Sequence, residues 1–509
     1  MADTHPTDHD FAALRDVCGE VFRPRLTRRG LFGAAGALAA TGLSGDFTPD
    51  AVAQTPTALP VRGEFIIRNA YVLSVDPAIG DLPRGDIYVR DGDIVAVGPS
   101  LSTPPGTMEI DAARMIAMPG FVETHWHCWN SLQRNWLTPE AGYMATKNAT
   151  AKFYTPIDFY NSDRLAFAEA INAGITTTYN YAHNVISAEH AAAELKAHTD
   201  SGIRGIYGYG CADLLPAAQA MDIASLRQAH KVWEAGAARD KELVRLGVSL
   251  RGPRSTTPDV FDEEMKAAKD LGLPIIFHGG QSPQSTVSTE ALKAKGYLTP
   301  DLTLVHFVLA TQADRDNLAA AGVSLSYTVH GELRVRARDP AEQFLHMVAG
   351  GVNVCLSFDG NSISPVDMFS SMCLAWDMGA PKDGKSTEKL TAVDFRQVIN
   401  MATINGAKAM GYDKLIGTLA PGKRADIILV RADDLNMAPF GNVDCAVVRS
   451  ANASNVDTVI ADGRIMKRGG KLVGVDQQGI IRAAAASAHA IRQRAGGRFT
   501  PKETERRDY

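Results

Sequence analysis

Between residues 119 and 416 the chain repeats one grammar eight times: a short strand-like run, a turn, then an amphipathic helical segment. The runs are "GFVETHWH", "GITTTYNYAHN", "GIRGIYGYG", "LVRLGVSLRG", "LPIIFHGG", "LTLVHFV", "GVSLSYTVHG" and "GVNVCLSFDG". Segments such as "FDEEMKAAKDLG" and "TQADRDNLAAAG" separate them and close on the Gly expected at a helix C-terminus. Strands alternating with helices predict a parallel sheet. Eight units predict a (β/α)8 barrel of the TIM type, whose active site sits at the C-terminal ends of its strands.

Both flanks read differently. Residues 62–118 and 417–475 alternate apolar and polar positions around Gly turns, with Asp91-Gly92 as a hairpin signal. Together they predict one small β-sandwich built from both chain ends. Residues 476–509 read as a helix and a charged tail that cover the barrel or a neighbouring subunit.

The chemistry collects at the strand ends. In "MPGFVETHWHCWN" a strand places His125 and His127 on one face and Trp126 on the other. His278, His306 and Asp359 end three further runs. A lone strand-end histidine is more often a structural side chain, but a barrel gathers these ends around one axis. Neutral imidazoles with one carboxylate are what a borderline divalent ion such as Zn²⁺ or Fe²⁺ binds, with a position left open for water.

Bulk properties exclude other classes. The composition, 45% hydrophobic and 21% charged, is that of a soluble globular chain. Past the N-terminus no run approaches the roughly 20 apolar residues of a membrane span. A net charge of −5 without a basic cluster argues against nucleic acid as partner. Six cysteines without a CxxC pair make neither a disulfide scaffold nor a thiolate zinc site.

"PGFVETHWH", "IIFHGG", "LVHFV" and "LSFDG" resemble the ordered metal signature of the amidohydrolase superfamily, and "MATINGAKAMG" and "IGTLAPGKRADIILV" are similar to its barrel exit and C-terminal strands. The likeness spans about residues 62–475 and is greatest to the cytosine deaminase, adenosylhomocysteine deaminase and triazine hydrolase branch. It implies His125, His127, His278 and Asp359 as metal ligands, with His306 holding or shuttling a proton of the hydrolytic water. The binuclear branches carry a lysine at the fourth strand, and "LVRLGVSLRGPRSTT" has none, so one ion is implied, Zn²⁺ before Fe²⁺ or Mn²⁺. Metal coordination lowers the pKa of water from about 15.7 towards 7. Asp359 then takes the released proton, and the target is an sp² carbon bearing nitrogen. The resemblance further implies a small, heterocyclic substrate and a homo-oligomer.

One position departs from the branch. Its deaminases carry a glutamate three residues after the fifth-strand histidine, where this chain has Gln281, which donates a hydrogen bond but no proton at neutral pH. Glu332, in the loop after the seventh strand, is the candidate substitute acid, with His330 beside it. His183, ending the second strand, and Trp129 are the candidate substrate contacts together with Gln281. Trp126 should pack outside the barrel, Cys128 should fill core, and "DMFSSMCLAWDMG" should be a core helix.

The leading expectation is a hydrolase of non-peptide carbon–nitrogen bonds, deaminating a heterocycle or opening an amide. Dechlorination, dealkylamination or a lyase step in the same mononuclear site is the alternative that Gln281 favours. A non-catalytic, exported binding protein built on the same barrel is the third. The segment "LTRRGLFGAAGALAATGL", followed by "AVAQ", resembles a twin-arginine export signal over residues 1–53 with a cut after Ala53. It predicts a periplasmic or secreted mature chain.

Overall fold

The computed structural model describes residues 58–334, 340–380 and 392–499; the export signal expected around Arg28 and Arg29 lies outside them. Five strands open the described chain: β1 (Phe65–Leu73), β2 (Asp81–Arg90), β3 (Asp93–Gly98), β4 (Met108–Asp111) and β5 (Met115–Pro119). The barrel strands follow as β6 (Phe121–Trp126), β7 (Ile175–Ala182), β8 (Arg204–Tyr209), β9 (Val244–Ser249), β10 (Ile275–His278), β11 (Leu302–Val305), β12 (Ser324–Tyr327) and β13 (Asn353–Leu356). The last four are β14 (Ile427–Arg431), β15 (Val456–Ala461), β16 (Arg464–Arg468) and β17 (Lys471–Leu472). Each of the eight sequence-predicted runs contains one barrel strand.

Strands β6 to β13 pair in sequence order, every neighbour parallel. The first and last strands meet through one parallel bridge, Trp126 to Asp359. Inward-facing Val122, Tyr179, Ile206, Ile276 and Val305 form one cluster with Ala407, Met410 and Tyr412. The Tyr412 hydroxyl donates to the Gly205 carbonyl at 2.7 Å, near the start of β8, so the segment after the barrel closes its N-terminal floor. The C-terminal ends are left as the mouth.

The remaining strands make one sheet from both ends of the chain, joined where β5 pairs antiparallel with β14. Alternation gives this sheet two working faces. Ala117, Ile427 and Leu429 enter its own core with Phe65 and Ile67, while Ile116, Met118, Ile428 and Val430 pack into the barrel's outer core. Strand β1 pairs with β4 along its first half and with β5 along its second, bending at Asn69, whose φ is 63°. Fully buried Arg204, at the start of β8, pairs with Asp426 at 3.0 Å and Asp462 at 3.1 Å from the end-built sheet.

The helix Gln477–Arg494 lies on the helix Pro156–Asn172, with Asn161 Nδ2 donating to Ser487 Oγ at 3.0 Å. Its Ala484 and Ile491 join Trp129, Trp136 and Phe159 in one cluster, so it covers the barrel. No helix among the described residues is long and apolar enough to cross a membrane. The described cysteines are free, and Cys128 is buried core.

Candidate metal centre and active site

His125 and His127 leave β6 into the mouth, His278 ends β10, and His306 and Asp359 follow β11 and β13. His306 and Asp359 hold φ values of 69° and 70°, a left-handed backbone that non-glycine residues adopt only where the surroundings impose it. One ligand atom each from His125, His127, His278 and Asp359 lies within 4.8 Å of the others. Asp359 Oδ1 is 2.9 Å from His127 Nε2 and 3.5 Å from His125 Nε2.

The histidines are set up as ligands. The Tyr181 hydroxyl donates to the Leu250 carbonyl at 2.5 Å, so its oxygen accepts from His278 Nδ1–H at 3.3 Å and leaves Nε2 bare. His127 Nδ1 faces the Tyr181 carbonyl at 3.5 Å, with the same consequence. Both ring nitrogens of His125 are buried with no hydrogen-bond partner among the described residues. Burial, reinforced by repulsion from His127, lowers His125 to about 3, and burial holds His278 well below the usual histidine range. Those two imidazoles are therefore neutral and their lone pairs available. Three histidines, one carboxylate and an orphaned buried nitrogen pair fit a divalent ion.

Next to this cluster His306 turns Nε2 towards Asp359 Oδ2 at 3.9 Å, while Nδ1–H donates to Glu332 Oε1 at 2.9 Å. Glu332 is fully buried in the one-turn helix Val329–Glu332 and also accepts from Thr328 Oγ1 at 3.0 Å. The sequence placed it in a loop facing the pocket; it lies instead behind His306. Gln281 Nε2 is 3.0 Å from His306 Nδ1 and 3.4 Å from Glu332 Oε2, to which it donates. Gly280 makes that placement possible: at φ 107° a side chain there would meet the Ser285 carbonyl oxygen at 2.4 Å. Burial pulls the His306 pKa down, but the Glu332 charge and hydrogen bond outweigh it, and the net pKa is raised. His330 turns to Ser370 Oγ at 3.3 Å, on the core helix Met368–Gly379.

His183 lies against the metal cluster, its ring 4.2 Å from that of His127. Trp129 Nε1–H donates to His183 Nδ1 at 3.1 Å, so the proton sits on Nε2 and reaches Asp213 Oδ1 at 3.1 Å. Trp129 is itself fully buried, stacked on Phe159 at 5.9 Å. The expectation that it lines the open pocket is corrected: it positions His183. Sequence reading missed Asp213 and Lys147, which form a buried ion pair beside this histidine. Asp213 was detectable, since it stands just past the third strand in "YGYGCAD"; Lys147, in "YMATKNAT", carries no comparable signal.

A parallel eight-stranded barrel with three histidines and an aspartate gathered at its mouth defines a metal-dependent barrel hydrolase. The amidohydrolase family is matched over residues 116–466, and the chain belongs to it. The chain is 29% identical to a 5'-deoxyadenosine deaminase of Methanosarcina mazei, covering 84% of this chain and 98% of that one. An adenosine deaminase from Xanthomonas campestris with bound zinc superposes with a TM-score of 0.74 at 21% identity, covering 85% and 100%. A variant of atrazine chlorohydrolase from Arthrobacter aurescens TC1, complexed with zinc and atraton, gives 0.73 at 20%, covering 83% and 100%.

Proposed function

We propose that the protein hydrolyses an exocyclic carbon–nitrogen bond of a small nitrogen heterocycle, releasing ammonia, with Glu332 and His306 replacing the acid absent at Gln281. The observation that carries this reading is the 2.9 Å contact between His306 Nδ1 and Glu332 Oε1 on the far side of the ring from Asp359. The relatives' deaminase activity supports it. His125, His127, His278 and Asp359 would hold one divalent ion, and zinc is the proposed metal because zinc accompanies the structural neighbours. When bound, that ion polarises the electrophile and makes hydroxide available near neutral pH.

The chain's own groups move the protons. Asp359 accepts the proton that water loses as its oxygen joins the ring carbon. Glu332 stabilises the imidazolium form of His306, whose Nε2–H then donates to the charge developing on substrate. The carbon–nitrogen bond breaks as the amino group takes the proton from Asp359 and leaves as ammonia. The His183 ring lies beside His127, and with the Lys147–Asp213 ion pair behind it would meet the polar edge of the heterocycle.

Ammonia release from a panel of aminopurines, aminopyrimidines, aminotriazines and adenine nucleosides tests the reading; silence across the panel with metal-loaded enzyme contradicts it. Gln281 favours a second reading, because a halide leaves without being protonated. Chloride release from chlorotriazines without ammonia release from the amino panel would select it. We also propose that the mature chain is exported, on the strength of Arg28-Arg29 and the Gly/Ala run behind them, and that it is a homo-oligomer, as the family resemblance implies. Intact mass of the periplasmic product and light scattering check both points.

A further inference from the structure

We infer that Glu123 is a positioning residue for the metal centre: its carboxylate stitches the seam where β6 meets β13 and holds His125 and Asp359 where both can ligate one ion. The inference stands on the seam itself and does not depend on which substrate is hydrolysed.

The seam differs from the other joints of the barrel. Neighbouring strands elsewhere share at least two paired residues, whereas among the described residues β6 and β13 meet by backbone pairing only at Trp126 and Asp359, past the end of β13. On its other side β6 carries a bulge. Glu123 pairs with Thr178 and Trp126 with Asn180, so three steps along β6 match two along β7. A bulge re-aims side chains and leaves a backbone group without its ladder partner. Here that group is the N–H of His125, and a buried N–H without an acceptor is costly.

Glu123 answers this, being fully buried with every contact used. Its Oε1 accepts from His125 N at 2.9 Å and from Phe358 N, one residue before Asp359, at 3.2 Å. Its Oε2 accepts from Thr178 Oγ1 at 2.8 Å, on β7. One carboxylate thus ties the first strand to its neighbours on both sides. It does so at the backbone of one proposed ligand and next to that of another. Thr124 adds a parallel stitch, its hydroxyl donating to the Leu356 carbonyl at 3.0 Å. Two backbone bonds complete the frame, from His127 N to the Asp359 carbonyl at 2.7 Å and from Asp359 N to the His125 carbonyl at 3.0 Å. The left-handed conformation of Asp359 has to be imposed from outside, and the Phe358 contact is part of what imposes it.

The geometry separates position from charge. A glutamine at 123 accepts both N–H groups with its amide oxygen and donates to Thr178 Oγ1, so Glu123→Gln keeps the stitch. An aspartate keeps the carboxylate but is shorter by one methylene and does not span both strands. The test is full-length protein stripped of metal and reconstituted with Co²⁺. The readouts are stoichiometry, chelator-competition Kd, visible absorption of the bound Co²⁺, and Tm with and without metal. Glu123→Gln is expected to bind one Co²⁺ with a Kd within about threefold of wild type and an unchanged spectrum. Glu123→Asp is expected to lose about 10- to 100-fold in affinity, the range for groups that orient ligands, with an altered spectrum and a smaller metal-induced rise in Tm. Wild-type affinity and spectrum in Glu123→Asp would overturn the inference, as would equal losses in both variants, which would assign the role to charge. If Glu123→Asp does not fold, Glu123→Gln decides alone: an unchanged spectrum supports the inference and a tenfold loss overturns it. None of these readouts needs a substrate, so failure of the proposed reaction and failure of this inference are distinguishable.

Discussion

The Glu332 carboxylate lies 2.9 Å from His306 Nδ1, while the opposite nitrogen of the same ring points at Asp359 Oδ2, 3.9 Å away. A buried acid, an imidazole and the carboxylate of Asp359 therefore stand in line, and in the proposed reaction the acid acts through the ring. Glu332→Gln should cut kcat by about 10²-fold, the size of a positioned acid–base contribution, with KM changed little. Steady-state kinetics on any substrate found in the panel decide this, and an unchanged kcat removes Glu332 from the reaction.

Gln281 and Glu332 are neighbours, 3.4 Å apart across the long amide contact. Moving the carboxylate from one to the other leaves it beside His306. The double variant Gln281→Glu/Glu332→Gln should regain at least about tenfold of the kcat lost in Glu332→Gln alone. A double variant no faster than the single one would mean that the carboxylate must occupy position 332.

Arg204 holds the barrel to the end-built sheet through two carboxylates, and neither it nor its partners reach solvent. Removing one partner of a buried ion pair strands the other. Arg204→Met should destabilise the protein by about 3 kcal/mol or more, whereas Arg204→Met/Asp426→Leu should recover much of that loss. Midpoints of denaturant unfolding for the two variants check the order; equal losses would contradict it.

On the outer side of β7 and β8, Asp163 accepts from Asn180 Nδ2 at 2.8 Å and Glu194 from the Tyr207 hydroxyl at 3.0 Å. Each keeps one oxygen without a partner among the described residues. Burial pushes Glu194 up to about 8, and burial plus repulsion from Glu194 raises Asp163 well above the usual carboxylate range. The unfolded chain, with glutamate near about 4.3, loses these protons first as pH rises. The native state then binds more protons than the unfolded one, so their contribution to stability is full below about pH 4 and is lost progressively towards pH 8. Glu194→Gln should therefore flatten the fall of Tm between pH 5 and 8 relative to wild type, both saturated with metal. Parallel profiles would contradict the assignment.

The eight barrel strands were legible because each is a β-branched or aromatic run bounded by turn residues. His125, His127, His278, His306 and Asp359 were legible because they recur at matching strand ends that a barrel gathers around one axis, although each alone would read as structural. What stayed hidden depends on contacts between distant segments. Glu332 looked like a loop glutamate, and only its burial against Thr328 and Gln281 turns it inward to His306. Trp129 looked like a pocket wall, yet Phe159 and the helix carrying Ile491 enclose it. The partners of Glu123 include Phe358, more than two hundred positions away in sequence, so the bulge that needs this carboxylate leaves no local signature. Lys147 and Asp213 meet only because the loops after β6 and β8 share the mouth.

In the proposed metal centre, four side chains from three strand ends hold one divalent ion. Anomalous diffraction at the zinc edge, from crystals of protein reconstituted with one equivalent of Zn²⁺, tests it most directly. A single peak is expected about 2.0–2.2 Å from a nitrogen of His125, His127 and His278 and from an Asp359 oxygen. A peak elsewhere, or none at that point, would contradict it.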